Sequence, residues 1–192
     1  MKKIGINRAT NIIHMFLRNK ISEGDVVIDA TLGNGYDTLF LLKQIGDRGS
    51  LYAFDIQEKA IEATKQLLIN ENISLASNNI NLILDGHEHM GKYIQVPVDV
   101  VMFNLGYLPG SNKKIITKAE TTLRALETSL RLLKSGGIAT LIIYCGHKGG
   151  LEEKKEILNY VKRLEVSEYT VLYCDYINHQ SNPPKMLIIE RK

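Results

Sequence analysis

Val26-Val27-Ile28-Asp29-Ala30-Thr31-Leu32-Gly33-Asn34-Gly35-Tyr36-Asp37 is the stretch that decides the fold. Apolar residues at 26–28, with Ala30 after them, predict a buried strand that Asp29 closes. A Gly33-Asn34-Gly35 turn follows, and Thr38-Leu39-Phe40-Leu41-Leu42 reads as the opening of a helix. Strand, glycine turn and helix form the first βα unit of a doubly wound sheet. Its glycines let the backbone approach a ligand, and its helix start presents unpaired N–H groups.

The ligand follows from what surrounds the turn. In the dinucleotide fingerprint G-x-G-x-x-G the third glycine packs the helix; here that position is Thr38. Asp29 ends the strand four residues before the first glycine, where a pyrophosphate would be repelled and an amino-acid ammonium would be welcome. The phosphate-loop pattern is absent. D-x-x-x-G-x-G therefore favours S-adenosylmethionine over NAD, although an NAD-linked oxidoreductase could start from the same βαβ unit. Leu51-Tyr52-Ala53-Phe54-Asp55 is a second strand ending in a carboxylate, 20 residues after Gly35. An acid at that place accepts hydrogen bonds from ribose hydroxyls, beyond the ordinary role of a strand-end Asp. Ile80–Leu84 is a third strand, and Asp85 after it could accept from an exocyclic amine. The candidate cofactor-binding residues are Asp29, Gly33, Asn34, Gly35, Asp37, Thr38, Asp55, Gln57, Asp85, Gly86 and His87.

The 192 residues, 44% hydrophobic and 23% charged, predict one domain over 1–192 with a full core. No apolar run is long enough to span a membrane, and the start reads as no signal peptide, so a cytoplasmic protein is expected. Cys145 and Cys174 fit a reducing compartment as small buried residues. A net charge of +3 permits nucleic acid without requiring it. His87-Glu88-His89 looks like a metal cluster, but H-x-H converges only on a strand and the downstream cysteines of a zinc deaminase are missing, so no metal is expected. His89 is expected at the surface.

Ile4 to Lys20 reads as an amphipathic helix with Ala9, Ile12, Ile13, Phe16 and Leu17 inward and Asn7 as cap. Within residues 1–22 it would pack on the sheet or cover the cofactor cleft. Helices are predicted over about 37–43, 57–69, 117–134 and 151–164, the fourth ended by a left-handed cap at Ser135-Gly136-Gly137. Strands are predicted over 96–104, 138–144, 166–173 and 185–190. Only a polar loop joins the last two, so the seventh strand must run antiparallel. The fold class is α/β: a Rossmann-like, seven-stranded, mostly parallel sheet with the last strand antiparallel and helices on both faces.

Asn104-Leu105-Gly106-Tyr107-Leu108-Pro109-Gly110 occupies the crevice end of a central strand and is too rich for a plain turn. Cys145-Gly146-His147-Lys148-Gly149-Gly150 lies on the same side. An amide oxygen at Asn104 and backbone carbonyls at Leu105 or Gly106 suit a neutral amine, since carboxylates would hold its proton. Asn104 and Tyr107 are the candidate catalytic residues. Gly106, Lys113, His147, His179 and Asn182 are the candidate substrate contacts, with Lys114, Lys118 and Lys148 near the crevice.

Taken in order, the glycine turn, Phe54-Asp55-Ile56-Gln57, Asp85-Gly86-His87-Glu88-His89-Met90, the Asn104–Gly110 segment, Tyr144-Cys145-Gly146-His147 and Asn182-Pro183-Pro184 resemble the YtqB/MnmM-like class I methyltransferases, long labelled rRNA methylases. The resemblance covers nearly the whole chain. It implies methylation of the aminomethyl group of 5-aminomethyl-2-thiouridine at the tRNA wobble position, with the anticodon loop as partner. It departs at Lys148-Gly149-Gly150, where family members often carry Pro or an acidic residue. The residues themselves leave open rRNA, a small molecule, a homodimer, and a catalytically silent RNA-binding module.

Overall fold

The computed structural model describes residues 5–76, 79–106, 116–146, 149–180 and 182–192. Tyr107, Lys113, Lys114, His147 and Lys148 fall outside these, so the expectations placed on them concern residues beyond the described ones. Seven strands form one sheet: β1 (Val26–Asp29), β2 (Ser50–Asp55), β3 (Ile80–Leu84), β4 (Val98–Leu105), β5 (Leu133–Ile143), β6 (Tyr169–Cys174) and β7 (Lys185–Arg191), in the order β3-β2-β1-β4-β5-β7-β6. The first five run parallel, and β7 inserts antiparallel between β5 and β6. A mostly parallel seven-stranded sheet with its last strand antiparallel is what element order predicts; the strand order comes from the structure.

The helices are α1 (Ala9–Leu17), α2 (Tyr36–Ile45), α3 (Glu58–Asn70), α4 (Met90–Tyr93), α5 (Ala119–Leu132) and α6 (Gly150–Val161). Alternate strand residues feed two cores. Val27, Leu51, Val100, Met102, Ile142 and Ile188 meet Ile13, Leu41, Ile61 and Leu68 of α1, α2 and α3 on one face. Ile28, Phe54, Val101, Phe103, Leu187 and Ile189 meet Met90, Leu126, Leu130 and Ile157 of α4, α5 and α6 on the other. Near-continuous burial of β1 and β4 is what parallel strands covered on both faces require.

Two local expectations are corrected. Helix α1 starts at Ala9 with Arg8 at its N-cap and no side-chain cap bond, so Asn7 does not cap it. The Ser135-Gly136-Gly137 run is not a helix cap. Chain pairing takes over at Leu133, which lies opposite Val98, and the glycines sit within β5 beside a register shift between Val98 and Val100. A Cβ at Gly137 would lie 2.9 Å from the Lys134 carbonyl oxygen and 3.2 Å from that of Asp99. The glycine is there for strand-to-strand approach.

Candidate active site

A cleft of about 860 Å³ opens over the carboxyl ends of β1 to β5. Strand order reverses there, with β2 on one side of β1 and β4 on the other. This switch point is where open α/β sheets bind ligands.

Asp55 stands at its centre. Oδ2 accepts from the Gly33 N–H at 3.0 Å and Oδ1 from the Gln57 N–H at 2.8 Å. Burial raises its pKa, and the bonds from Gln57 and Gly33 oppose that rise. Each carboxylate oxygen offers a second lone pair, so the carboxylate can still accept from a ligand's paired hydroxyls. Leu32, Phe54 and Ile56 supply apolar wall beside it. Asp85 also lines the cleft, accepting from the Gly86 N–H at 2.7 Å, His89 Nδ1 at 2.8 Å and the Tyr93 hydroxyl at 2.8 Å. The His89 bond holds its carboxyl below the ordinary range. His89 is thus more than a surface residue: it orients Asp85. His87 is buried, donates Nδ1–H to the Ala30 carbonyl at 3.0 Å and meets Phe103 edge-on. Burial lowers its pKa, which keeps the ring neutral.

Three expected cofactor contacts stand behind the wall. Asp29 is 1% exposed; Oδ2 accepts from the Thr38 hydroxyl at 2.6 Å and Oδ1 from the Thr31 N–H at 3.1 Å. Burial first, and the Asp37 charge second, push its pKa up to about 7. Asp29 therefore faces Thr38 and Thr31 and is not among the residues that line the cleft. Gly35 takes φ +79°, and a Cβ on it would lie 2.6 Å from Thr64 Oγ1. Its missing side chain serves the packing of α2 on α3. Gly33, Asn34, Asp37 and Gln57 do line the cleft.

Asp37, unlike Asp29, lines the cleft. Its Oδ2 accepts from Asn104 Nδ2 at 3.1 Å, and its Oδ1 lies 2.6 Å from His14 Nε2. The His14 ring stacks on Phe40 with centroids 3.9 Å apart. Asn104 is tied through its N–H to Thr31 Oγ1 at 2.7 Å. Helix α1 thus forms part of the cleft, through Arg8, Thr10, Asn11 and His14. The sequence reading missed His14. The signal was a polar stripe, Thr10, Asn11 and His14, at helical spacing beside the apolar one.

Tyr144 was also missed as a site residue; it lines the cleft, and burial and then the Asp37 charge raise its pKa. The Gly106 carbonyl accepts from the Thr117 N–H at 2.9 Å. Glu153, 1% exposed, accepts from the hydroxyls of Thr117 at 2.9 Å and Thr122 at 2.7 Å. Lys118 lines the mouth with Arg8. His179 and Asn182 do not line the cleft. His179 is exposed and stacks on Tyr176, whose hydroxyl donates to the Ile6 carbonyl at 2.9 Å. Asn182 takes φ +44° in the β6–β7 connection. Among the described residues no cluster of His, Cys, Asp or Glu could hold a metal, and no helix is long and apolar enough to cross a membrane.

Residues 51–190 match the family model described as "Putative rRNA methylase". The chain is 40% identical over 195 residues to a tRNA (mnm(5)s(2)U34)-methyltransferase, chloroplastic, of Arabidopsis thaliana, covering 98% of this chain and 71% of the relative. The crystal structure of a "putative rRNA-methylase" from Clostridium thermocellum superposes with a TM-score of 0.93 at 41% identity, over 98% of this chain and 100% of that one. A "putative methyltransferase" from Streptococcus mutans, solved in complex with SAH, superposes with a TM-score of 0.87 at 38% identity, again over 98% and 100%.

Proposed function

The chain belongs to the rRNA methylase family, and we propose that it is an S-adenosylmethionine-dependent methyltransferase that N-methylates the aminomethyl group of 5-aminomethyl-2-thiouridine at the tRNA wobble position. The observation that carries this reading is the Asn104 amide, held at the carboxyl end of β4 beside the cleft. The name of the Arabidopsis relative supports the substrate, and the SAH bound to the Streptococcus protein supports the cofactor.

The cleft fits the cofactor. Asp55 keeps acceptor capacity for two ribose hydroxyls, Asp85 is ionised beside the apolar wall of Phe54 and Ile56, and the volume of about 860 Å³ exceeds what a nucleoside alone needs. Gly33, Asn34 and Gln57 complete the holding set. When bound, the cofactor supplies a methyl group on a positively charged sulfur.

The protein's own work is to position a neutral amine. An alkylamine is mostly protonated near neutral pH, and a free carboxylate would keep it so. Asn104 Oδ1 can accept an amine N–H without holding a proton. Tyr144 bounds the space over Gly106, its Cβ and Cδ2 each 3.8 Å from where a Cβ would stand there. Arg8 and Lys118 at the mouth suit the phosphates of a single-stranded loop, whose bases are already accessible. Tyr107, Lys113 and His147 remain part of the same proposal as base and phosphate contacts, together with one domain over 1–192 and a cytoplasmic location. Transfer of labelled methyl from S-adenosylmethionine to bulk tRNA from a strain lacking the gene tests the activity. No transfer to any RNA or amine would favour a silent RNA-binding module.

A further inference from the structure

We propose that Asp37 is a positioning residue that fixes which way the Asn104 amide points, and that His14 of α1 completes the device. This rests on reading Asn104 as the acceptor for the substrate amine. An asparagine amide can occupy one site in two orientations that exchange oxygen and nitrogen. Only one of them offers oxygen to an amine N–H. Asp37 breaks that symmetry, because an ionised carboxylate only accepts. Nδ2 must turn toward Oδ2, at 3.1 Å, and Oδ1 is then turned away from Asp37.

The carboxylate is itself held from the other side. His14 Nε2 donates to Oδ1 at 2.6 Å, and Phe40 fixes the imidazole plane by stacking within 5° of parallel. The Asp37 side chain is 8% exposed, so it has little solvent to turn toward. Thr31 anchors the Asn104 backbone at 2.7 Å. Four elements thus converge on one amide: α1 with His14, α2 with Asp37, the β1–α2 turn with Thr31, and β4 with Asn104.

The test compares Asp37→Ala with Asp37→Asn. Losing a hydrogen bond to a charged group predicts a fall in kcat for tRNA methylation of about 10- to 100-fold in Asp37→Ala. Calorimetric SAH affinity stays at the wild-type value. An amide at 37 can donate as well as accept, so Asp37→Asn no longer fixes the Asn104 amide and is expected to be about as slow as Asp37→Ala. If Asp37→Asn keeps the wild-type rate, an accept-only partner is not what orients Asn104, and the inference is overturned. Parallel loss of SAH affinity in Asp37→Ala overturns it equally, by making Asp37 a cofactor ligand. A second readout needs no RNA. In the SAH-bound protein, the Asn104 side-chain NH₂ protons give well-separated, slowly exchanging NMR signals, which collapse toward free-amide values in Asp37→Ala. Unchanged signals would refute the positioning role whatever the substrate, whereas absent methylation by the wild type would refute the substrate alone.

Discussion

Asp29 and Thr38 close the glycine turn from behind: the Thr38 hydroxyl donates to Asp29 Oδ2 at 2.6 Å, and Asp29 and Thr38 are 1% and 0% exposed. Thr38 stands where a dinucleotide fold would have its third glycine, and Asp29 is what fills that space.

A pH dependence of stability follows. Asp29 has a pKa of about 7 in the folded chain against an ordinary value of 3.8. Within that window the folded chain retains a proton that the unfolded chain has released. Stability from this site is therefore full below about pH 4 and lost as pH rises toward 7. Asp29→Asn removes the buried charge while keeping an acceptor for the Thr31 N–H. Its thermal midpoint should decline less than that of the wild type between pH 5 and 8. Parallel curves for the two proteins would show that Asp29 is ionised throughout.

Gly35 predicts a packing effect. Alanine there places a Cβ 2.6 Å from Thr64 Oγ1 at φ +79°. Overpacking and the left-handed backbone together should destabilise by about 2–4 kcal/mol in urea titration. Among the described residues the Thr64 hydroxyl has no hydrogen-bond partner, so Thr64→Ala costs little polar interaction. In the double variant most of the clash is relieved, and about 1–2 kcal/mol of backbone cost remains. Strict additivity of the two changes would contradict the assigned contact.

For Asp55, calorimetry is the measurement. Asp55→Ala removes both the ligand's acceptor and the anchor of the Gly33 and Gln57 N–H groups. SAH binding should be abolished at concentrations that saturate the wild type, and NADH should bind neither protein. NADH binding to the wild type without SAH binding would return the cleft to the oxidoreductase reading.

The sheet and the strand-end acids were legible because they are local. β-branched runs, glycine turns and a terminal carboxylate sit within a few residues of one another, and the short polar connection at Asn178–Pro184 implied that β7 runs antiparallel to β6. What could not be read is which acid faces the cleft. Asp29 and Asp37 differ only in whether Thr38 or Asn104 claims them, and that depends on contacts spanning 9 and 67 positions. His14 was hidden for a similar reason. It lies beside the inward stripe of α1, and its partner Asp37 is 23 positions away. The Glu153 clasp on Thr117 and Thr122 joins α6 to α5 across 36 and 31 positions, with no pattern in either segment to announce it. The glycines at 136 and 137 misled because a helix stop and a strand bulge share one composition.

Nucleoside mass spectrometry of tRNA from a strain lacking the gene tests the central claim most directly. The unmethylated 5-aminomethyl-2-thiouridine should accumulate at the wobble position, be restored to the methylated form by the wild-type gene, and stay unmethylated with Asn104→Ala. An unchanged tRNA nucleoside profile, beside a methyl group lost from rRNA, would contradict it.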